Sequence, residues 1–421
     1  MIPTFREVEE EVGRTLKDQG GLGAILVDLG PLARVERNFG GATYQALRAQ
    51  IDPLFLELIE KPHTGDRLAR DERDGDRFFV FVGLRDPRDP QRGLAIADLR
   101  KRADEIEEFL TPRVARLTQP YTRERPVLSV GYGVVLYSPL ESAQRLILRL
   151  IEDAQESTLM RAKAHDRAEK EALIEIIYNY PQNIWTAFQP IVEIQSRTTM
   201  GHEGLSRGPR GSEMQPPMVL FGAAARYGLT EELERACRKK AFVDWDVFGA
   251  PGRLFVNTVP ATVRDATFLG RGVLDYLGTA ISPRFVTLEI TERQVIENLA
   301  MYREAMHAFL ELGFSFAIDD LGAGYSGLET VAKLGAAYLK IDMGLVRDVH
   351  QKRASQQIIK AILDMSSGVG ATVIAEGIQT MEEAKAILDL GVRYGQGYLF
   401  ARPIDPYAPK QRSPTIVRME G

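Results

Sequence analysis

Eight polar residues of metal-binding or proton-handling type close short apolar runs in the C-terminal half of the chain: Glu203, Asn257, Glu289, Asp319, Asp320, Lys340, Glu376 and Gln396. The first five offer oxygen donors and no sulfur, a set that selects Mg2+ or Mn2+ over Zn2+. Carboxylates brought this close repel one another and raise one another's pKa unless a cation sits among them. Asp319 and Asp320 are adjacent where the chain enters the Gly-rich stretch 321–326, so one of them can bridge two ions while the other binds the second. Two ions about 3.5–4 Å apart suit in-line attack of water on a phosphodiester. Lys340 can stabilise phosphoryl charge or orient that water, and Glu376 can take its proton. Any one of these residues alone reads as a salt-bridged strand end; together they point to one site.

The runs that carry them predict buried parallel strands, with helical segments between most of them. Alternation of this kind predicts an α/β fold with a (β/α)8, TIM-like barrel, whose chemistry sits at the C-terminal strand ends. Alternation along a strand turns His202 to the face opposite Glu203.

The N-terminal half reads as a second α/β domain. Thr4 and Glu7 form a capping-box pattern that opens a helix to about Lys17. Strands are expected over Ala24–Asp28, Phe78–Val82 and 127–136, a charged loop over 85–93 and a helix over 94–117. Ser138 and Pro139 then mark a helix start, and neither Gly nor Pro recurs until Pro181. Apolar residues at Leu146, Leu150, Ala154, Met160, Ala164, Ala168, Ala172 and Ile176 keep helical spacing over that stretch. They predict one long helix, or two stacked ones, serving as a spacer or as a lever between the halves.

At 421 residues, two domains are the natural expectation. With 26% charged residues and a net charge of -5, nothing electrostatic favours long nucleic acid. No apolar run approaches the ~20 residues that span a bilayer, and the acidic N-terminus is unlike a secretory signal. A cytoplasmic setting is expected. Cys237 is the single cysteine, which excludes an internal disulfide and predicts a packing role.

The motifs, in order, resemble the EAL family of cyclic di-GMP phosphodiesterases: Phe188–Ile191, Glu203-Gly204-Leu205 with Arg207, Asn257, Glu289 to Glu292, Asp319 to Ser326, Lys340 to Asp342, Ala375 to Gly377, and Gln396 to Tyr398. The resemblance runs from about Gln189 to Pro403. It implies a metal-dependent hydrolase that opens cyclic di-GMP to linear pGpG, with two Mg2+ or Mn2+ ions on Glu203, Asn257, Glu289, Asp319 and Asp320. It places Lys340 and Glu376 around the nucleophilic water and assigns the dinucleotide to Gln189 and Arg207, with Asp342 and Gln396 close by. Glu292 would anchor the loop after Asp320, and pairing near that loop implies a homodimer. Gly204, Leu321 and Gln379 depart from the family's Ala, Phe and second acid, respectively; none deletes a metal ligand. The alternative is a receptor that binds cyclic di-GMP without turnover and signals to a protein partner.

The N-terminal half resembles a degenerate GGDEF domain, with Asp74–Phe78 at the signature and Asp28 at the family's first metal-binding Asp. Arg77 stands where a metal-binding acid belongs, and Glu36 and Arg37 stand where an Asn-Asp pair would recognise guanine. The resemblance therefore implies a regulatory module without cyclase activity, open to GTP or a protein partner. The expected layout is an N-terminal helix (1–20), the GGDEF-like domain (21–165), a connecting helix (139–180), the EAL barrel (181–408) and a tail (409–421).

Overall fold

The structure is a computed structural model describing residues 2–30, 32–60, 66–72, 75–83, 85–86, 89–93, 95–118, 121, 128–258, 272–277, 281–291, 306–322 and 335–408. It divides into two compact units, Met1–Ala172 and Leu173–Gly421. No helix among the described residues is long and apolar enough to cross a membrane.

The first unit is built on an antiparallel sheet of β1 (Gly21–Asp28), β2 (Arg67–Arg70), β3 (Arg77–Gly83) and β6 (Ser129–Leu136), in the order β2-β3-β1-β6. A separate pair, β4 (Arg85–Asp86) and β5 (Asp89–Gly93), lies in the stretch expected to be a loop. Alternation assigns the sheet's side chains to two cores. Ile25, Val27, Phe78 and Val80 pack with Val35, Ile51 and Ile106 of helices Leu32–Phe39, Gly41–Glu60 and Ile96–Thr118, respectively. Ala24, Leu26, Phe79 and Phe81 pack on the other face, with Val12 and Leu16 of helix Phe5–Gln19 and Leu146 and Leu150 of helix Ala143–Ile174. The Glu7 carboxylate accepts from Thr4 N at 2.6 Å, as the capping pattern predicts.

The long helix is continuous from Ala143 to Ile174 but starts later than Pro139. Ser142 Oγ accepts from Arg145 N at 3.3 Å and so takes the capping role expected of Ser138. Within this unit, Arg77 Nε donates to Asp28 Oδ2 at 2.9 Å. Asp74 lies outside the described residues.

The second unit is a closed barrel of β7 (Trp185–Glu193), β8 (Thr199–Arg207), β9 (Arg253–Asn257), β10 (Val286–Thr291), β11 (Ser315–Leu321), β12 (Tyr338–Ile341), β13 (Thr372–Ala375) and β14 (Tyr394–Gly395). Consecutive strands are neighbours, and β14 returns to β7. The barrel departs from an all-parallel one at a single strand, since β7 runs antiparallel to both β8 and β14. The period of two separates inside from outside. Leu254, Leu288, Ile318, Leu339 and Val373 face outward into a core completed by Ile359, Ile362 and Ile387 of helices Arg353–Val369 and Met381–Leu390. Ile191, Phe255, Ala317 and Ile374 fill the interior. His202 faces outward as expected, with ring centroids 5.6 Å from Trp245 and 5.2 Å from Phe248. Burial pulls its imidazole pKa down to about 4.

Candidate active site

Above the apolar plug of the barrel, the next inward positions are polar: Glu203 and Glu289 lie within β8 and β10, while Asn257 ends β9 and Glu376 follows β13. Lys340 is wholly buried, and its Nζ lies 2.7 Å from Glu289 Oε1, 2.7 Å from Glu376 Oε1, 3.3 Å from Asp319 Oδ1 and 3.4 Å from Glu203 Oε2. Desolvation lowers the lysine pKa, but attraction from Asp319, Glu203, Glu289 and Glu376 outweighs it, so the net shift is upward. Burial raises the pKa of Glu289 and of Glu376, with neighbouring carboxylates adding to it and Lys340 opposing. Among the described residues, one ammonium faces four carboxylates.

Adjacent residues on a strand face opposite ways, which would separate Asp319 from Asp320. The backbone reverses this at Asp320, whose φ of 58° lies in the left-handed region that Asp tolerates better than most residues. Asp320 N donates to Asp319 Oδ1 at 2.9 Å, and the β11–β12 register shifts between Ile318 and Leu321. Two overlapping donor sets result: Glu203, Glu289 and Asp319, and then Asp319, Asp320 and Glu376, with ligand atoms in each set within 4.8 Å of one another. Asp319 belongs to both. Glu289 is 1% exposed, and neither of its oxygens has a well-aligned hydrogen-bond donor among the described residues. Excess negative charge, all-oxygen donors and a buried carboxylate with Lys340 alone beside it as a cation among the described residues fit divalent cations of the hard class.

The remaining expected residues surround this cluster. Asn257 Nδ2 donates to Glu203 Oε1 at 3.2 Å, and Gln396 Nε2 donates to Glu203 Oε2 at 2.7 Å and to Gln189 Oε1 at 3.0 Å. Gln189, facing Glu203 across the β7–β8 ladder, also donates from Nε2 to Ala401 O at 3.0 Å. Arg207 Nη1 donates to the carbonyls of Leu205 and Ser206 at 3.2 and 2.9 Å. Asp342 caps the short helix Met343–Val346, accepting from Gly344 N at 2.8 Å. Gly377, at φ 69°, lets the β13 loop approach the β12 loop; a Cβ there would sit 2.4 Å from Met343 Cβ. Glu292 and the loop 323–326 lie outside the described residues.

Two departures from the family motifs are local matters. Leu321 is not in the loop after the Asp pair; it ends β11 and is fully buried in the core. Gln379 Oε1 accepts from Arg347 Nη1 at 2.7 Å rather than joining the carboxylates. Sequence reasoning missed Glu383, which is 1% exposed and accepts from the backbone N–H groups of Gln379, Thr380 and Asp348 at 2.8, 3.2 and 3.1 Å. It ties together the loops that follow β12 and β13. Its signal was the capping box of Thr380 and Glu383.

A family model described as EAL domain matches residues 181–403. Over 191 residues the chain is 35% identical to a probable cyclic di-GMP phosphodiesterase, PdeA, of Escherichia coli K12, covering 45% of this chain and 25% of that protein. It is 25% identical over 421 residues to a cyclic di-GMP phosphodiesterase of Pseudomonas aeruginosa, covering 95% of this chain and 68% of that one. The chain thus spans a quarter and about two thirds of the length of these relatives. Its fold is similar to that of the FimX EAL domain of Xanthomonas citri, solved in complex with cyclic di-GMP, with a TM-score of 0.53 and 20% identity over 58% of this chain and 96% of that one.

Proposed function

The chain belongs to the EAL domain family, and from that premise we propose that it hydrolyses cyclic di-GMP to linear pGpG with two Mg2+ or Mn2+ ions. The observation that carries this reading is the sharing of Asp319 between two carboxylate sets, with Lys340 and Glu376 in contact beside them. Glu203, Asn257, Glu289 and Asp319 would hold one ion, and Asp319 and Asp320, with Glu376 in reach, the other. Bound there, such ions polarise the scissile phosphate and make water a stronger acid. Glu376, held by Lys340 at 2.7 Å, accepts the water proton. Lys340 holds Glu376 and Glu289 in place and offsets charge that develops on the phosphoryl oxygens. Arg207 binds a phosphate, and Gln189, Gln396 and Asp342 flank the dinucleotide. One water is consumed as the P–O3′ bond breaks.

The first unit serves as a regulatory module of the degenerate GGDEF type. Its Arg77–Asp28 ion pair places a cation where a nucleotide-bound metal would need an acid, so no cyclic di-GMP is expected from GTP. The active form is a homodimer, to be checked by light scattering. The deciding experiment is incubation of the purified chain with cyclic di-GMP and Mg2+ or Mn2+. Release of pGpG, stopped by EDTA, is the expected result. Tight binding without product would instead establish the receptor alternative, and synthesis of cyclic di-GMP from GTP would refute the regulatory assignment.

A further inference from the structure

The barrel unit carries a second polar cluster, distinct from the carboxylates, that joins three separate stretches of chain. Arg210 follows β8, three residues beyond Arg207. Its guanidinium pairs with both oxygens of Asp405, with Nη2 to Oδ1 at 2.8 Å, and the guanidinium carbon lies 4.1 Å from the Trp185 ring centroid at the start of β7. Asp244, fully buried on the helix Thr230–Phe248, accepts from Thr186 N at 2.7 Å, from Lys240 Nζ at 2.6 Å and from the Tyr407 hydroxyl. Asp405 Oδ1 also accepts from Tyr407 N at 2.9 Å. The segment Ala401–Tyr407 is therefore pinned at its far end by two independent acids.

What that segment does at its near end links it to the site. Ile404 exchanges both backbone hydrogen bonds with Phe188, at 2.9 and 2.8 Å. Ala401 O holds the Gln189 amide, which accepts from Gln396, whose same nitrogen donates to Glu203. An amide held at both ends has one orientation in which both contacts survive. The Arg210–Asp405 latch thus sets the Gln189 amide through Ala401, and it restrains the stretch that follows Arg207 at the end of β8.

We propose that Arg210 and Asp405 are positioning residues whose pairing aligns Gln189 and Arg207 to receive an anionic dinucleotide. The proposal rests on the cyclic di-GMP reading. The pair is partly exposed, with side chains 49% and 23% accessible, so it adds little to global stability. Its planar two-point contact instead fixes geometry.

The test is steady-state kinetics on Arg210→Gln and Asp405→Asn in Mg2+, with calorimetric binding of cyclic di-GMP in Ca2+. Each variant is expected to raise KM and weaken binding by about fivefold, with kcat within about twofold and the melting temperature near that of the parent. Arg210→Lys, which keeps charge without the fork, is expected to recover only part of the loss. Unchanged KM and affinity in both variants would overturn the proposal, as would a fall in kcat alone. A chain that binds cyclic di-GMP but releases no pGpG removes the proposed activity and leaves the affinity arm to decide the latch. A chain that does neither overturns both.

Discussion

Lys340 Nζ lies 2.7 Å from Glu376 Oε1, a contact that joins a cation wholly removed from water to the candidate proton acceptor. Burying an ammonium is costly unless charge compensates it. Here the compensation comes from the carboxylates that also form the donor sets, so the lysine and the expected ions share one electrostatic function. Lys340 supplies part of the positive charge permanently; the ions of the proposed reaction would supply the remainder.

Lys340→Met should therefore destabilise the metal-free protein by about 3–5 kcal/mol, because it leaves the buried carboxylates uncompensated. Thermal melts in EDTA and in excess Mn2+ check this. The variant's deficit is expected to shrink in Mn2+, and an equal deficit in both would show that the ions do not share the role of the lysine.

Asp319→Ala should be more damaging to turnover than Asp320→Ala, since Asp319 alone belongs to both donor sets. A loss of at least about 100-fold is expected for Asp319→Ala and for Glu203→Ala, with the fold retained because carboxylate repulsion is relieved. Chromatographic assay of pGpG, alongside circular dichroism, reads both halves of this expectation.

Glu383 gives a prediction with a definite pH sign. Desolvation pushes its pKa up, but the N–H groups of Gln379, Asp348 and Thr380, with Arg347, outweigh that and hold it below 4.5. A depressed folded pKa contributes stability that is present above the unfolded value and is lost as pH falls through the folded one. Glu383→Gln should cost about 1–2 kcal/mol at pH 7, and the difference from the parent should fade as pH drops below 4.5. Urea melts at neutral and acid pH check it.

Cys237 should be chemically silent in the native protein. Burial pushes its thiol up to about 12, so at pH 8 the reactive thiolate fraction is on the order of 10⁻⁴. Titration with a chromogenic disulfide should find no thiol in the folded chain and the single cysteine after denaturation. Rapid native labelling would show that helix Thr230–Phe248 opens.

The donor chemistry was legible in the sequence because strand and residue type are both local. Apolar runs ending on Glu203, Asn257, Glu289 and Lys340 declare buried strands, and period-two alternation alone sends His202 away from Glu203. The same local reasoning located the capping box at Thr4 and the long helix, but it misplaced that helix's start, since Ser138 and Ser142 are equally good caps in sequence. What only the tertiary structure decided depends on backbone turns and on partners far apart in the chain. Asp320 joins Asp319 because one residue takes a left-handed φ at a register shift. β7 runs against its neighbours, which no side-chain pattern encodes, because alternation is the same read in either direction. Gln189 is oriented by Ala401 and Arg210 is paired with Asp405, 212 and 195 residues away. Contacts at such separation leave no periodic trace; they arise only when barrel closure brings the last segment back beside the first strand.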